Sequence, residues 1–260
     1  MIELKNVWHY YGVRPTLRGI DLEVKTGELM CVMGPNGMGK STLLAVAGGV
    51  QPCLDGYVEI NGKRRRRSIQ EERALREQVV YLPDTPWLPK SQTGREWLMG
   101  VGRLYGVSTK RLFQRIDQLL EVFDLSEQGD RSISSYSTGQ QKKIGLCGAF
   151  ITEAPVLILD EPLSGGLDAS ALLAVEKILR SLAERHDVTV LMAVPVPELV
   201  DRIADRVAVI IDGTLQAIGT PAELCATSGR ATLAETLDAM VHPEGDDAVA
   251  RYLAEGTEDA

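Results

Sequence analysis

The sequence predicts an α/β fold, with a mostly parallel sheet, an antiparallel β portion and a helical subdomain inserted between strands. Three observations predict it. Unbroken apolar runs of strand length recur at 29–33 ("LMCVM"), 79–82 ("VVYL"), 156–159 ("VLIL") and 188–194 ("VTVLMAV"), the pattern of parallel strands buried on both faces. Segments of helical periodicity alternate with these runs, which favours helices layered on a sheet. Near the C-terminal end, "VAVIIDGTLQAIG" sets Asp212-Gly213 between two β runs, a hairpin signal.

The first run leads into "GPNGMGKST", residues Gly34, Pro35, Asn36, Gly37, Met38, Gly39, Lys40, Ser41 and Thr42, followed by the helical "LLAVAG". This is G-x-x-x-x-G-K-[ST] in its strand–loop–helix context, the phosphate-binding loop of P-loop NTPases. A triphosphate carries several negative charges, so many backbone N–H groups must come close to it. The three glycines permit that approach, and the helix N-terminus adds its positive dipole end. Lys40 would reach the β- and γ-phosphates, and the Ser41 hydroxyl would ligate Mg²⁺.

Next comes a basic run, Lys63–Arg67 ("KRRRR"), with Glu71, Glu72 and Glu77 close behind. Such a run can dock on phosphates or anionic lipid, although a solvated loop is the simpler reading. A helix-rich block at about 85–150 follows. In it Leu112, Ile116, Leu119, Leu120 and Phe123 fall on one helical face and read as core. The run "VLILDEP" then ends a buried strand in Asp160-Glu161, at the sheet edge where ligands collect in open α/β folds. There Asp160 would hold Mg²⁺ and Glu161 would polarise an attacking water. The plainer alternative is that the two acids cap the next helix. The last apolar run ends abruptly in Pro195 and Pro197, neither of which can donate to a strand ladder. Beyond "GTPAEL" the tail turns acidic, with a helix around Thr232–Val241 and fraying expected from Pro243 onward.

Composition bounds the function. The 260 residues are 44% apolar and 25% charged, with a formal charge of −8, which argues against a general nucleic-acid binder. No apolar run approaches a bilayer span, no signal peptide is visible, and four scattered cysteines suggest neither zinc nor disulfides. The expected location is cytoplasmic.

Upstream of the Asp-Glu strand end stands "YSTGQQKK", placing Ser137, Gly139 and Gln140 where a turn enters a helix. Phosphate loop, helical block, S-x-G-Q and then the acidic strand end, in that order, resemble the ATP-binding subunit of an ABC transporter over roughly residues 1–224. The resemblance implies a nucleotide-binding domain over 1–224 and an acidic extension over 225–260. It implies ATP and Mg²⁺ as ligands, and a head-to-tail pair of such domains, either homodimer or heterodimer. Ser137, Gly139 and Gln140 would then reach the partner's nucleotide. Tyr11 matches the residue that stacks on adenine, with Tyr10 as its alternative, and Asp168 in "GGLD" matches an interface loop.

Three positions depart from the family pattern. Asp84 replaces the glutamine after "YLP" and would join Ser41 and Asp160 as a metal ligand. "SGGLD" carries an additional glycine. Pro195 stands where a histidine contacts the γ-phosphate, which implies an impaired ATP site of the chain's own. The function implied is ATP hydrolysis that drives translocation through a separate membrane permease, of exporter type, at the inner face of the cell membrane. Trp87, Leu88 and Trp97 would line the permease groove or belong to the helical core. The competing reading is a soluble ABC-type ATPase that acts as an assembly or regulatory module.

Overall fold

A computed structural model describes residues 1–185 and 188–242. The chain opens with the antiparallel strands β1 (Ile2–Tyr11) and β2 (Arg14–Val24), then β3 (Leu29–Met33) and α1 (Lys40–Ala47). Strands β4 (Asp55–Ile60) and β5 (Lys63–Arg64), helix α2 (Ile69–Arg76) and β6 (Val79–Leu82) follow. Three helices come next, α3 (Gly94–Leu104), α4 (Thr109–Val122) and α5 (Thr138–Ile151). The chain returns through β7 (Val156–Asp160), α6 (Ala169–Glu184), β8 (Thr189–Ala193) and α7 (Pro197–Ile203). It ends in the hairpin β9 (Arg206–Ile211) and β10 (Thr214–Gly219), then α8 (Pro221–Ser228) and α9 (Leu233–Val241).

Among the described residues the strands form two sheets. One has the order β10-β9-β3-β8-β7-β6, in which only β10 runs antiparallel to its neighbour. Its inner strands β3, β7 and β8 are buried at every residue, as expected of strands covered on both faces. The β9–β10 turn places Asp212 at φ 49° and Gly213 at φ 73°, the left-handed pair of a type I′ hairpin.

The second sheet, β2-β1-β4-β5, is antiparallel throughout and extends the antiparallel portion well beyond the hairpin expected from sequence. Its signal is broken within β1. Ile2 and Leu4 are buried in alternation, the chain bulges at Asn6 (φ 46°), and burial resumes out of phase at Val7 and His9. A bulge inserts one residue and flips the faces, which hides a period of two.

The inserted helices pack as the periodicity of α4 implies. Leu112, Ile116, Leu119, Leu120 and Phe123 are all buried, in one core with Leu88, Leu98 and Ile144. Thr93 and Ser137 each close a capping box at the start of α3 and α5.

Pro195 follows the last strand residues and is exposed, but Pro197 is the first residue of α7, where proline's fixed φ and missing N–H are favourable. The second proline thus starts a helix as well as ending a strand. At the C-terminal side, α8 runs across the 224/225 boundary, and Leu224 and Leu233 join the main core. The helix expected near 232–241 is α9, capped by Thr232. The fraying expected from Pro243 onward lies outside the described residues.

Phe123 is 1% exposed, stacks on Phe150 and centres the helical block. Phe123→Ala should therefore cost about 3–5 kcal/mol, read as a lower urea midpoint with an unchanged slope.

Candidate functional site

Two of the three glycines of the phosphate loop, Gly34 and Gly39, are required by close approach. Gly34 has φ 138°, and a Cβ there would stand 2.0 Å from Ile210 O. Gly39 has φ 102° and would meet Thr16 O at 2.8 Å. Gly37 has φ 81° in open space, so it answers to backbone conformation alone. The loop is also held from outside, since Gly213 N donates to Met38 O at 3.2 Å. Sequence reasoning missed Thr16 and read Gly213 only as a hairpin turn, because the approach of that turn to the loop is purely tertiary.

Gly39 caps α1, whose first residue is Lys40. Lys40 is 5% exposed, and its Nζ donates to Gly34 O at 2.8 Å and Pro35 O at 2.9 Å, with Asn36 Oδ1 at 3.5 Å. Burial pulls its pKa down, and the charges of Glu161 and Asp160 pull the other way. Lys40, Ser41, Thr42, Tyr11, Thr16, Asn36, Gly37, Gly39 and Glu161 line one cavity of about 480 Å³. Tyr11 is 57% exposed on its wall, whereas Tyr10 stacks toward Trp8 on the opposite face of β1. The structure thus separates the two tyrosines that sequence left open.

Ser41 Oγ donates to Asp160 Oδ1 at 3.1 Å, across 119 residues of chain. Asp160 is buried, and desolvation raises its pKa against the Ser41 hydrogen bond; the charges of Glu161 and Asp84 raise it further. Glu161 takes a left-handed φ of 47°, a turn that swings it off the strand end. Ser164 Oγ donates to Glu161 O at 3.0 Å and Oε2 at 3.1 Å, fixing the carboxylate. The two acids do not cap the next helix; Asp168 does, accepting from Ala171 N at 2.8 Å.

Asp84 is less simply placed. Its carboxylate pairs with the buried Lys142 Nζ at 2.6 Å, and the same ammonium donates to Asp84 O at 3.0 Å. The neighbouring Lys143 pairs with Asp168 at 2.6 Å, and this bond holds the Asp168 carboxyl below its usual range. Both lysines belong to α5, the helix that Ser137 caps. Ser137 Oγ accepts from Gln140 N, while Gln140 Oε1 accepts from Ser137 N at 2.9 Å. Gly139 lies so near the other loop that a Cβ would meet Gly166 O at 2.6 Å. The additional glycine of "SGGLD" lets Gly165 and Gly166 both adopt positive φ, 73° and 87°.

Of the histidines, His9 is buried in β1 with Nδ1 at 2.9 Å from Pro52 O, and His242 ends α9. His186 lies outside the described residues. Neither described histidine lines the cavity of Lys40 and Glu161.

A second cavity, about 620 Å³ and mainly apolar, lies between α1, β6, α3 and α5. Trp87, 83% exposed, and Trp97 line it, while Leu88 belongs to the core. Among the described residues, no helix is long and apolar enough to cross a membrane.

The sequence matches the ABC transporter family over residues 17–164. It is 36% identical over 219 residues to a daunorubicin resistance ATP-binding protein of Streptomyces coeruleorubidus, covering 84% of this chain and 68% of that protein. An Fe(3+) ions import ATP-binding protein of Vibrio cholerae is 30% identical over 224 residues, covering 86% of this chain and 62% of the relative. A linearmycin resistance ATP-binding protein of Bacillus subtilis is 30% identical, covering 90% and 73%. The solved structure of an ATP binding subunit of an ABC transporter superposes with a TM-score of 0.84 at 27% identity, over 91% of this chain and 97% of that one. A dimeric ATP-binding cassette bound to ADP and phosphate shares the fold with a TM-score of 0.76 at 22% identity, over 85% and 98%.

Gly213 and Gly229 make a matched test of the loop's outer support. Both have positive φ, but a Cβ on Gly213 would stand 2.3 Å from Thr16 O, whereas Gly229 has nothing within 4 Å. Gly229→Ala should cost about 1 kcal/mol and leave nucleotide affinity unchanged. Gly213→Ala should cost more than about 2 kcal/mol and weaken binding of a fluorescent ATP analogue at temperatures where the fold persists.

Proposed function

The chain belongs to the ABC transporter ATP-binding family, whose members hydrolyse ATP, dimerise and work with membrane permease components, and on that premise we propose that it powers an exporter. The observation that carries the site reading is the Ser41–Asp160 hydrogen bond beside Lys40 and Glu161 on one cavity wall. A hydroxyl and a carboxylate oxygen are the hard donors that suit Mg²⁺, so Ser41 and Asp160 would hold it. When bound, the ion neutralises charge on the phosphates. Asp84 would add a third oxygen only after parting from Lys142.

The chain's own residues then divide the work. The loop amides and Lys40 bind and orient the phosphates, and Tyr11 stacks on the adenine, worth about 1–3 kcal/mol by analogy with base-stacking sites. Glu161, held by Ser164, accepts a proton from the attacking water. Ser137, Gly139 and Gln140 would complete the site of a second nucleotide-binding subunit. The groove of Trp87 and Trp97 would seat a segment of the permease. That contact would place the chain at the inner membrane face.

Export is favoured by the drug-resistance relatives, one of them at 36% identity, although an iron-import relative stands at 30%. The domain boundary near 224 is retained as part of this proposal. Co-purification with a membrane permease tests the transport role, and recovery with a soluble partner alone would support an assembly module instead.

Lys40→Ala should abolish Mg-ATP binding measured by calorimetry; wild-type affinity in the variant would overturn the site. A second expectation concerns rate. Pro195, exposed just beyond β8, has neither an N–H nor a side-chain donor to offer the γ-phosphate. Loss of one such donor costs about 10²-fold or more, so the isolated chain should turn over slowly. Residual hydrolysis should vanish in Glu161→Gln. In a heterodimer, Ser137→Arg should stop transport more completely than Glu161→Gln. Rapid steady-state turnover by the isolated chain would show that another group replaces the histidine.

A further inference from the structure

The basic run Lys63–Arg67 lies outside the cavity of Lys40 and Glu161, and the structure divides it into anchors and outward charges. Arg65 is 8% exposed; its Nε donates to Ala47 O at the end of α1 at 2.7 Å, and its Nη1 pairs with Glu72 at 3.2 Å. The Arg64 guanidinium lies 4.2 Å from the centre of the Tyr57 ring. These contacts pin the loop to the core, so the neighbouring charges are held in place rather than swept about. Arg66 and Arg67, joined by Arg73 and Arg76 of α2, are exposed around Ile69, itself 85% exposed. Arg67, Arg73 and Arg76 pair with Glu71, Glu77 and Glu72 at 3.5–4.0 Å, but all three guanidinium groups stay open to solvent, where such pairing neutralises little of the field. Residues 63–77 carry seven basic and three acidic side chains, in a chain of net charge −8.

The position of this patch is informative. The cavity lined by Arg64, Arg65, Arg66 and Arg67 shares Gln51 with the apolar groove of Trp87 and Trp97. The patch therefore flanks the groove assigned above to the permease, so a membrane-embedded partner seated in that groove would bring the bilayer surface near it. We propose that residues 63–77 contact the anionic lipid headgroups of the membrane face, with Ile69 entering the headgroup layer. The placement rests on the groove reading; the lipid contact is testable without a permease.

Lipid suits the patch better than a discrete anion or an acidic protein segment. Guanidinium groups bind phosphate oxygens in paired hydrogen bonds. Here they are spread over a loop and a helix on open surface, which matches a plane of headgroups. An apolar side chain ringed by basic ones is the composition of an interfacial contact. The contact is weak and salt-sensitive, since such attraction fades within a Debye length. It orients the ATPase beneath the permease and does not anchor it alone.

The test is co-sedimentation of the full chain with phosphatidylcholine vesicles containing about one third phosphatidylserine, at low salt. The chain should pellet with these vesicles, stay in solution with phosphatidylcholine alone, and be released by salt near about 0.5 M. Arg67→Gln, Arg73→Gln and Arg76→Gln together should weaken binding about a hundredfold, and Ile69→Gln by a smaller factor. ATP affinity and thermal midpoint should not change, which separates lost contact from lost fold. Equal sedimentation of the triple variant, or no preference for anionic over neutral vesicles, would overturn the proposal. So would displacement by inorganic phosphate at matched ionic strength, which would mark a discrete anion pocket instead. Any of these failures leaves the groove assignment standing, because co-purification with a permease tests that separately.

Discussion

Three backbones converge at the phosphate loop more closely than any side chain would allow. Gly34 lies against Ile210 O of β9, Gly39 against Thr16 O of β2, and Gly213 of the hairpin against the same Thr16 O. The loop, the antiparallel sheet and the hairpin are thereby locked to one another, and the position of α1 follows. Because α1 begins at Lys40, this packing decides where the ammonium, the Ser41 hydroxyl and the first helical N–H groups stand. Asp160 is then brought to Ser41 by the parallel order β3-β8-β7, which aligns the carboxyl ends of the strands. The chemistry of the site depends on an approach of main chain to main chain.

The features legible in the sequence are those written locally. Four apolar runs became β3, β6, β7 and β8, and Asp212-Gly213 became the turn of a hairpin. The stripe of α4 proved to be core, and Ser137 and Gln140 proved to be a capping box as well as a motif. What escaped was written in relations between distant segments. The bulge at Asn6 scrambled the alternation of β1, so the four-stranded sheet was not anticipated. Thr16 carries no motif, the hairpin signal of Gly213 says nothing of its approach to the phosphate loop, and no pattern names the lysines that pair with Asp84 and Asp168. Pro197 read as a strand terminator and turned out also to be the first residue of a helix.

A division of labour follows between the rigid and the adjustable parts of the site. The wall that carries Lys40 is built from buried strands and a helix start, with Lys40, Asp160 and Thr42 all enclosed. Ser137, Gly139 and Gln140, proposed to serve a second subunit's site, lie at the start of α5, with Gly139 against Gly166. Consecutive glycines at positive φ give that loop conformations denied to other residues, and the loop retains them while Asp168 fixes its far end by capping α6.

Lys142 and Lys143 add a mechanical property to this arrangement. Consecutive side chains leave an α-helix about 100° apart, so α5 grips two loops from two sides at once: Asp84 after β6 and Asp168 before α6. Both lysines are nearly enclosed, while their carboxylate partners are more than half exposed, so each pair joins a covered ammonium to an open loop. The two ion pairs therefore tie both loops to one helix, so the positions of Asp84 and Asp168 are set by the same rotational setting of α5. The mouth of the helical block and the edge of α6 thus share one mount, the helix that Ser137 begins.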